Sequence, residues 1–167
     1  MTTQTLTAAD LRDTLELTPD MAVAGPTRDQ HWLRVLAGVA IIWFSLNLIV
    51  FVSTMFSTPE QVAARYTEAQ IAFMAALPRW SMALSGLSVA FGLVASLGLF
   101  FRREEAYLAF MLSLLMAIGH LFDVMSRGGF ETLGAGDAFA PITLLLFTLF
   151  LFWASYDARR HGQLDGA

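Results

Sequence analysis

Residues 36–56 have the sequence LAGVAIIWFSLNLIVFVSTMF, an uncharged apolar run that indicates a membrane-spanning helix. Three more uncharged or nearly uncharged runs follow it, at residues 80–101, 106–125 and 138–156. Each run has about 20 residues, enough for a helix to cross a hydrocarbon core of about 30 Å. Backbone groups in lipid must pair internally, and the apolar residues show no period of two, which argues against barrel strands. The pattern therefore predicts an all-α integral membrane protein, a four-helix bundle with spans at these ranges.

The composition agrees with a membrane protein. Of the 167 residues, 56% are hydrophobic and only 14% are charged, and the mean hydropathy is +0.59. A soluble domain carries about 25% charged residues, so four buried helices of a soluble protein would leave too few polar residues to coat the core. All ten basic residues are arginine and the net charge is −4, which excludes a Schiff-base lysine and a basic face for nucleic acid. The absence of cysteine excludes disulfides, thiolate zinc sites and iron–sulfur clusters.

The regions outside the spans predict a simple domain organisation. Residues 1–31 are polar and acidic and lack the basic start and apolar stretch of a signal peptide, so we expect a retained cytoplasmic arm. Thr7 and Asp10 fit a capping box, which predicts a short helix over residues 8–17. Residues 32–157 then form the transmembrane domain, and residues 158–167 a short cytoplasmic tail.

Arginine counts predict the orientation of the bundle. Four spans place both chain ends on one side of the membrane, and cytoplasmic segments carry the excess of arginine. The arginines on the side of the chain ends are Arg12, Arg28, Arg34, Arg102, Arg103, Arg159 and Arg160, and those on the other side are Arg65, Arg79 and Arg127. The counts therefore predict that both termini lie in the cytoplasm.

The connections between the spans differ in character. In the first, residues 57–79, Thr58 and Thr67 are each followed three residues later by glutamine, the pattern of a capping box. We therefore expect a broken amphipathic helix on the outer membrane surface or over the bundle. In the third, residues 126–137, four glycines predict a flexible outer loop.

Small residues predict where the helices pack most closely. The second span contains two sets of small residues spaced by four, a pattern that lets membrane helices approach one another. The sets are Ser88, Gly92 and Ser96, and Gly86 and Ala90. We therefore expect the second span at the most crowded position of the bundle.

The third span carries the ionisable residues. Ser113, His120, Asp123 and Arg127 fall on one arc of about 80° of the helix. With the predicted orientation, His120 lies about 9 Å and Asp123 about 5 Å below the outer end of the span. Ionisable residues in a span usually face the protein interior or water, so this arc predicts a polar layer in the outer leaflet. The candidate pocket comprises Asn47, Arg79, Ser85, Ser88, His120, Asp123, Arg127 and Thr143.

Two interpretations of this layer stay open. In the first, it is a small pocket or a protonatable site centred on His120 and Asp123. In the second, it is a structural cap in which Asp123 pairs with Arg127 and His120 bonds to Asn47 or a serine. A metal site needs three or more ligands and haem with two histidine ligands needs both at one depth, so we predict neither metal nor cofactor. A pigment or haem bound through His120 alone stays open.

Several short motifs also carry a resemblance. They are TEAQIAF at 67–73, LPRW at 77–80, GLVASLGLFFR at 92–102, and ARR at 158–160 with GQL at 162–164. These stretches resemble small four-span inner-membrane proteins of alphaproteobacteria, often labelled sugar transporters or hypothetical. The resemblance covers residues 32–164 and implies the four-span layout and a transport role. The long acidic arm departs from it, and it implies no catalytic residues.

Two functions follow from these observations. The favoured one is a non-enzymatic accessory or interaction subunit of a larger membrane complex. The alternative is a small-solute, sugar-like transporter that works as an oligomer with a polar site around His120. Transport requires polar residues at several depths, and the inner halves of the spans offer only Ser96, Ser113 and Thr148. One histidine and one aspartate make an incomplete catalytic site, so we predict no enzyme activity. The expected partners are the lipid bilayer and either further copies or a larger complex, and not nucleic acid.

Overall fold

A computed structural model describes residues 30–164, without the side chains at 30 and 135–138. The predicted arm and its helix over 8–17 lie outside this range, apart from residues 30 and 31. The described residues form helices and no strand. These helices are α1 (Gln30–Met55), α2 (Pro59–Ala63), α3 (Glu68–Ala76), α4 (Arg79–Phe100), α5 (Ala106–Ser126) and α6 (Gly129–Arg160).

Four of these helices are long and apolar enough to cross a membrane. The membrane-crossing segments are His31–Met55, Arg79–Phe100, Ala106–Ser126 and Phe139–Arg160. The protein is therefore an all-α, multi-pass integral membrane protein built as a four-helix bundle, as predicted, and its outward apolar side chains contact lipid. We call the end with the turn between α4 and α5, residues 101–105, the hairpin end, and the end with α2 and α3 the cap end.

The hairpin end is closed by tight helix termini. After α4, the amide of Arg103 donates to the carbonyl of Gly98 (2.8 Å) and the amide of Arg102 to that of Leu99 (3.1 Å), the two bonds of a Schellman motif. Arg102 occupies the left-handed position with φ 59°, where glycine is the usual residue. The guanidinium of Arg159 lies 4.3 Å from the ring centroid of Tyr107 and 3.8 Å from the Glu104 carboxylate, so α6 is tied to the start of α5.

The end of α6 repeats the same motif. Gly162 has φ 63°, and the amides of Gly162 and Gln163 donate to the carbonyls of Arg159 (3.1 Å) and Ala158 (2.9 Å). This turn directs the chain back, and Leu164 is buried as part of the core. Leu164 of the predicted tail therefore packs against the bundle, whereas Arg159, Arg160 and His161 are exposed.

Of the four spans, α4 is the most buried. Of the five predicted packing residues, Ser88, Gly92 and Ser96 are buried, and Gly86 and Ala90 are half-buried. On the side facing α5, the hydroxyl of Ser113 donates to the carbonyl of Ser88 at 2.7 Å.

Two of the three glycines of α4, Gly86 and Gly92, accommodate rings from α1. A Cβ atom at Gly92 would overlap the ring of Phe44, and one at Gly86 would lie 2.7 Å from ring atoms of Phe51. Phe44 is fully buried. The missing side chains thus make room for aromatic rings of α1.

The cap end confirms the predicted local signals. Both capping boxes are present, with Thr58 paired to Gln61 and Thr67 paired to Gln70. The predicted broken helix is therefore two helices, α2 and α3, and α3 packs on α6. The side-chain amide of Gln70 donates to the carbonyl of Leu133 at 2.8 Å.

The prediction of a flexible loop over residues 126–137 is wrong. Gly128 adopts a left-handed turn with φ 72°, and α6 begins directly after it at Gly129. The helix is interrupted at Gly134, where φ is 77° and ψ is 168°. The glycines thus form a sharp turn and a kink. The carbonyl that Gln70 binds is the last one before that kink, and the bond connects α3 to the interrupted helix.

Candidate functional site

A polar cluster lies between α4 and α5 at the cap end. Arg127 follows α5, and its Nε donates to Asp123 Oδ1 at 2.9 Å. The side chain of Asp123 is only 6% exposed, whereas that of Arg127 is 43% exposed. The second carboxylate oxygen of Asp123 is buried and has no hydrogen-bond partner among the described residues. The ion pair therefore joins a buried anion to a cation that water can reach.

A serine that the sequence analysis did not select completes this cluster. Ser81 Oγ lies 3.1 Å from His120 Nδ1. Ser81 is fully buried in the first turn of α4. A signal was available, because Ser81, Ser85 and Ser88 lie at spacings of four and three on one face of α4. These contacts are the ones that the structural-cap interpretation expects: an Asp123–Arg127 pair and a serine bonded to His120.

A cavity of about 330 Å³ lies beside this cluster. It is lined by residues of all four spans together with α3, Tyr66 and Leu77, and most of its wall is apolar. The lining residues are Asn47, Val50, Phe51, Thr54, Met55, Tyr66, Phe73, Met74, Leu77, Met82, Ser85, Val89, His120, Val124, Leu133, Ala140, Pro141 and Leu144. Phe73 and Met74 of α3 thus form part of this wall, where the sequence predicts a helix on the membrane surface or over the bundle.

The eight predicted pocket residues fall into three groups. Three line the cavity, namely Asn47, Ser85 and His120. Asp123 and Arg127 form the ion pair beside it. The other three lie elsewhere: Ser88 is buried against α5, Arg79 is exposed at the start of α4, and the exposed Thr143 donates to the carbonyl of Phe139. That these eight residues form one functional pocket stays a prediction.

Each of the three cavity residues keeps a free polar atom. The amide nitrogen of Asn47 donates to the carbonyl of Trp43 at 2.8 Å, which leaves its Oδ1 available. His120 uses Nδ1 toward Ser81, which leaves Nε2. Among the described side chains, these two atoms and the Ser85 hydroxyl have no hydrogen-bond partner. The cavity thus combines apolar walls with three unused hydrogen-bonding groups.

The polar character does not continue toward the hairpin end. The hydroxyls of Ser96, Ser113, Thr148 and Ser155 all donate to helix carbonyls, at 2.7 to 2.9 Å. On the hairpin side of the cavity, the Phe147 ring lies 5.4 Å from the Trp43 ring and 6.4 Å from the Phe44 ring, centroid to centroid. These rings lie between the cavity and the other membrane face.

The described residues contain no group of three or more His, Cys, Asp or Glu side chains that can hold a metal ion. No protein-family model, no curated protein and no solved structure matches this chain.

Proposed function

We propose that this protein is a non-enzymatic accessory subunit of a larger membrane complex. The observation that supports this proposal most directly is that most hydroxyl side chains inside the bundle are paired with helix carbonyls. Toward the hairpin end, the hydroxyls of the spans are bound to helix carbonyls, and aromatic rings lie below the cavity. A bundle whose interior hydroxyls are largely paired is suited to packing against another protein through its exposed apolar side chains.

The outer face of α1 illustrates that surface. Val35, Val39, Ile42, Leu46 and Ile49 are exposed and recur at helical spacing along one side. Aliphatic faces of this kind pack against lipid or against another transmembrane helix. The absence of unpaired charge on this stripe is compatible with both.

The alternative is a sugar-like transporter that works as an oligomer, and the cavity with His120 favours it. Transporters place their binding site near the midplane and open it alternately to both sides. The cavity here lies in the cap-end half, and the Trp43, Phe44 and Phe147 rings stand on its hairpin side. The alternative therefore needs a second conformation in which these rings separate.

We further propose that the protein lies in a bacterial cytoplasmic membrane with both termini in the cytoplasm. Among the described residues, Arg34, Arg102, Arg103, Arg159 and Arg160 lie at the hairpin end, and Arg65, Arg79 and Arg127 at the cap end. This excess supports a cytoplasmic hairpin end. A reporter fused after Ala167 is expected to be active only in the cytoplasm, and one inserted after Gly128 only outside. The reverse pattern would contradict the orientation.

Purification from native membranes tests the accessory role. The tagged full chain is extracted in a mild detergent, and its companions are identified by mass spectrometry against an unrelated tagged four-span protein. A larger membrane protein at constant stoichiometry is the expected result. A clean homo-oligomer that carries labelled glucose into proteoliposomes, and loses that uptake in Asn47→Leu, would instead establish the transporter.

A further inference from the structure

We infer that the cavity at the cap end binds one neutral amphiphilic molecule from the membrane, with an apolar body and a single hydroxyl or carbonyl head group. The accessory role assigns no ligand to the protein, so this inference goes beyond it. It rests on the size of the cavity, on its walls, on the free polar atoms and on the exposed residues of its lining.

The size and the walls indicate a small, largely apolar occupant. The cavity of about 330 Å³ lies at the lower end of the range for small-molecule sites, about 300–1,000 Å³. Its walls include the side chains of Phe51, Met55, Phe73 and Leu133. Water fills such a space poorly because each water needs two to four polar partners. An apolar body fits these walls without loss of hydrogen bonds.

The free polar atoms indicate the head group. Asn47 Oδ1 accepts a hydrogen bond, the Ser85 hydroxyl donates or accepts one, and His120 Nε2 does either according to its tautomer. A hydroxyl can donate to Asn47 and accept from Ser85, and a carbonyl can accept from Ser85 and His120. A sugar carries many more hydroxyls than these atoms satisfy, and each hydroxyl buried without a partner weakens binding.

The charges around the cavity indicate a neutral ligand. Among the described side chains, those that line the cavity include no Asp, Glu or Arg. The nearby Asp123 carboxylate is held by Arg127, and neither residue lines the cavity. An ionic head group would lose its hydration without gaining a counter-charge.

Two residues that line the cavity, Val50 of α1 and Ala140 of α6, are exposed on membrane-crossing segments. At this depth an exposed side chain meets acyl chains. A molecule dissolved in the bilayer therefore reaches the cavity between α1 and α6.

Photolabelling of the native full chain in lipid nanodiscs tests this inference. The probe is 1-dodecanol with a diazirine in the middle of its chain, and labelled residues are mapped by mass spectrometry. We expect saturable labelling of cavity residues that unlabelled 1-dodecanol displaces at least tenfold more effectively than dodecane or dodecyltrimethylammonium. Glucose should displace none of the probe. Labelling that does not saturate, or equal displacement by dodecane, would overturn the inference.

Variants then test the head-group contacts. Ser85→Ala and Asn47→Leu should each weaken displacement by 1-dodecanol about tenfold, the loss expected for one hydrogen bond in an apolar site. Ser45→Ala is the matched control, since Ser45 lies on α1 and does not line the cavity. Ala140→Phe adds bulk at an exposed position of the wall and should reduce labelling in a folded protein. Unchanged displacement in Ser85→Ala and Asn47→Leu, with intact labelling in Ala140→Phe, would contradict the assignment.

Discussion

The contact between Gly92 and Phe44 gives the sharpest test of the packing. A methyl group at Gly92 would overlap three atoms of the Phe44 ring. That ring cannot move aside easily, because Phe44 is fully buried and lies 6.4 Å from the Phe147 ring, centroid to centroid. Overpacking of this kind costs about 1–3 kcal/mol. Gly92→Ala should therefore lose stability although alanine is the better helix former by about 1 kcal/mol.

Gly38→Ala is the matched control for this prediction. Gly38 lies on α1, and a Cβ atom there would meet nothing within 4 Å. Both variants gain the same helix propensity, so their difference isolates the overpacking term. We expect Gly92→Ala to be less stable than Gly38→Ala by about 1–3 kcal/mol.

The assay is unfolding of the full chain by sodium dodecyl sulfate in mixed micelles, followed by circular dichroism. Smaller side chains at position 44 should relieve the overlap, so Gly92→Ala should cost less in a Phe44→Leu background than in the native one. The difference is the coupling energy of a double-mutant cycle. Equal stability of Gly92→Ala and Gly38→Ala, or no coupling to position 44, would refute the packing described for α1 and α4.

Three further predictions concern polar contacts and backbone strain. Arg127→Gln should lower the free energy of unfolding by about 3 kcal/mol, because it leaves a buried carboxylate unpaired. Asp123→Asn should lower the free energy of unfolding by less, because it removes that charge. Equal losses in detergent melts would argue against a buried Asp123. Arg102→Gly should be more stable than Arg102→Ala by about 1 kcal/mol, since only glycine occupies φ 59° without strain; the same melting temperatures would contradict the left-handed turn. Gln70→Glu keeps the side-chain oxygen that caps α3 but loses the amide that donates to the Leu133 carbonyl, so hydrogen exchange over residues 129–133 should rise. Gln61→Glu, the control, should leave this exchange unchanged. A rise in both variants or in neither would count against the bond from α3 to α6.

Features set by neighbours in the sequence could be predicted. The spans follow from runs of apolar residues about as long as the hydrocarbon core is thick. The two capping boxes follow from Thr58 and Thr67 with a glutamine three residues later, because both partners lie in the same helical turn. Arg127 lies one turn after Asp123, so their pairing was also among the alternatives.

Features set by tertiary packing could not be predicted from the sequence. The glycines of α4 indicate that something comes close, but they do not show that it is a ring of α1. Ser81 reaches His120 only because one particular face of α4 meets α5. Gln70 and Leu133 are far apart in sequence, and their bond depends on how α3 lies against α6. The cavity has the same origin, since its walls come from every span.

Photocrosslinking within the native membrane tests the proposed accessory role. A photoreactive amino acid replaces Ile42, Leu115 or Leu146, which point outward from α1, α5 and α6 and are 57–63% exposed. The buried Phe44 position serves as the control and should give no intermolecular product. If the protein is an accessory subunit, at least one outward position should join this chain to a larger membrane protein in a single discrete product. Products that contain only lipid, or only two copies of this chain, at all three positions would contradict it.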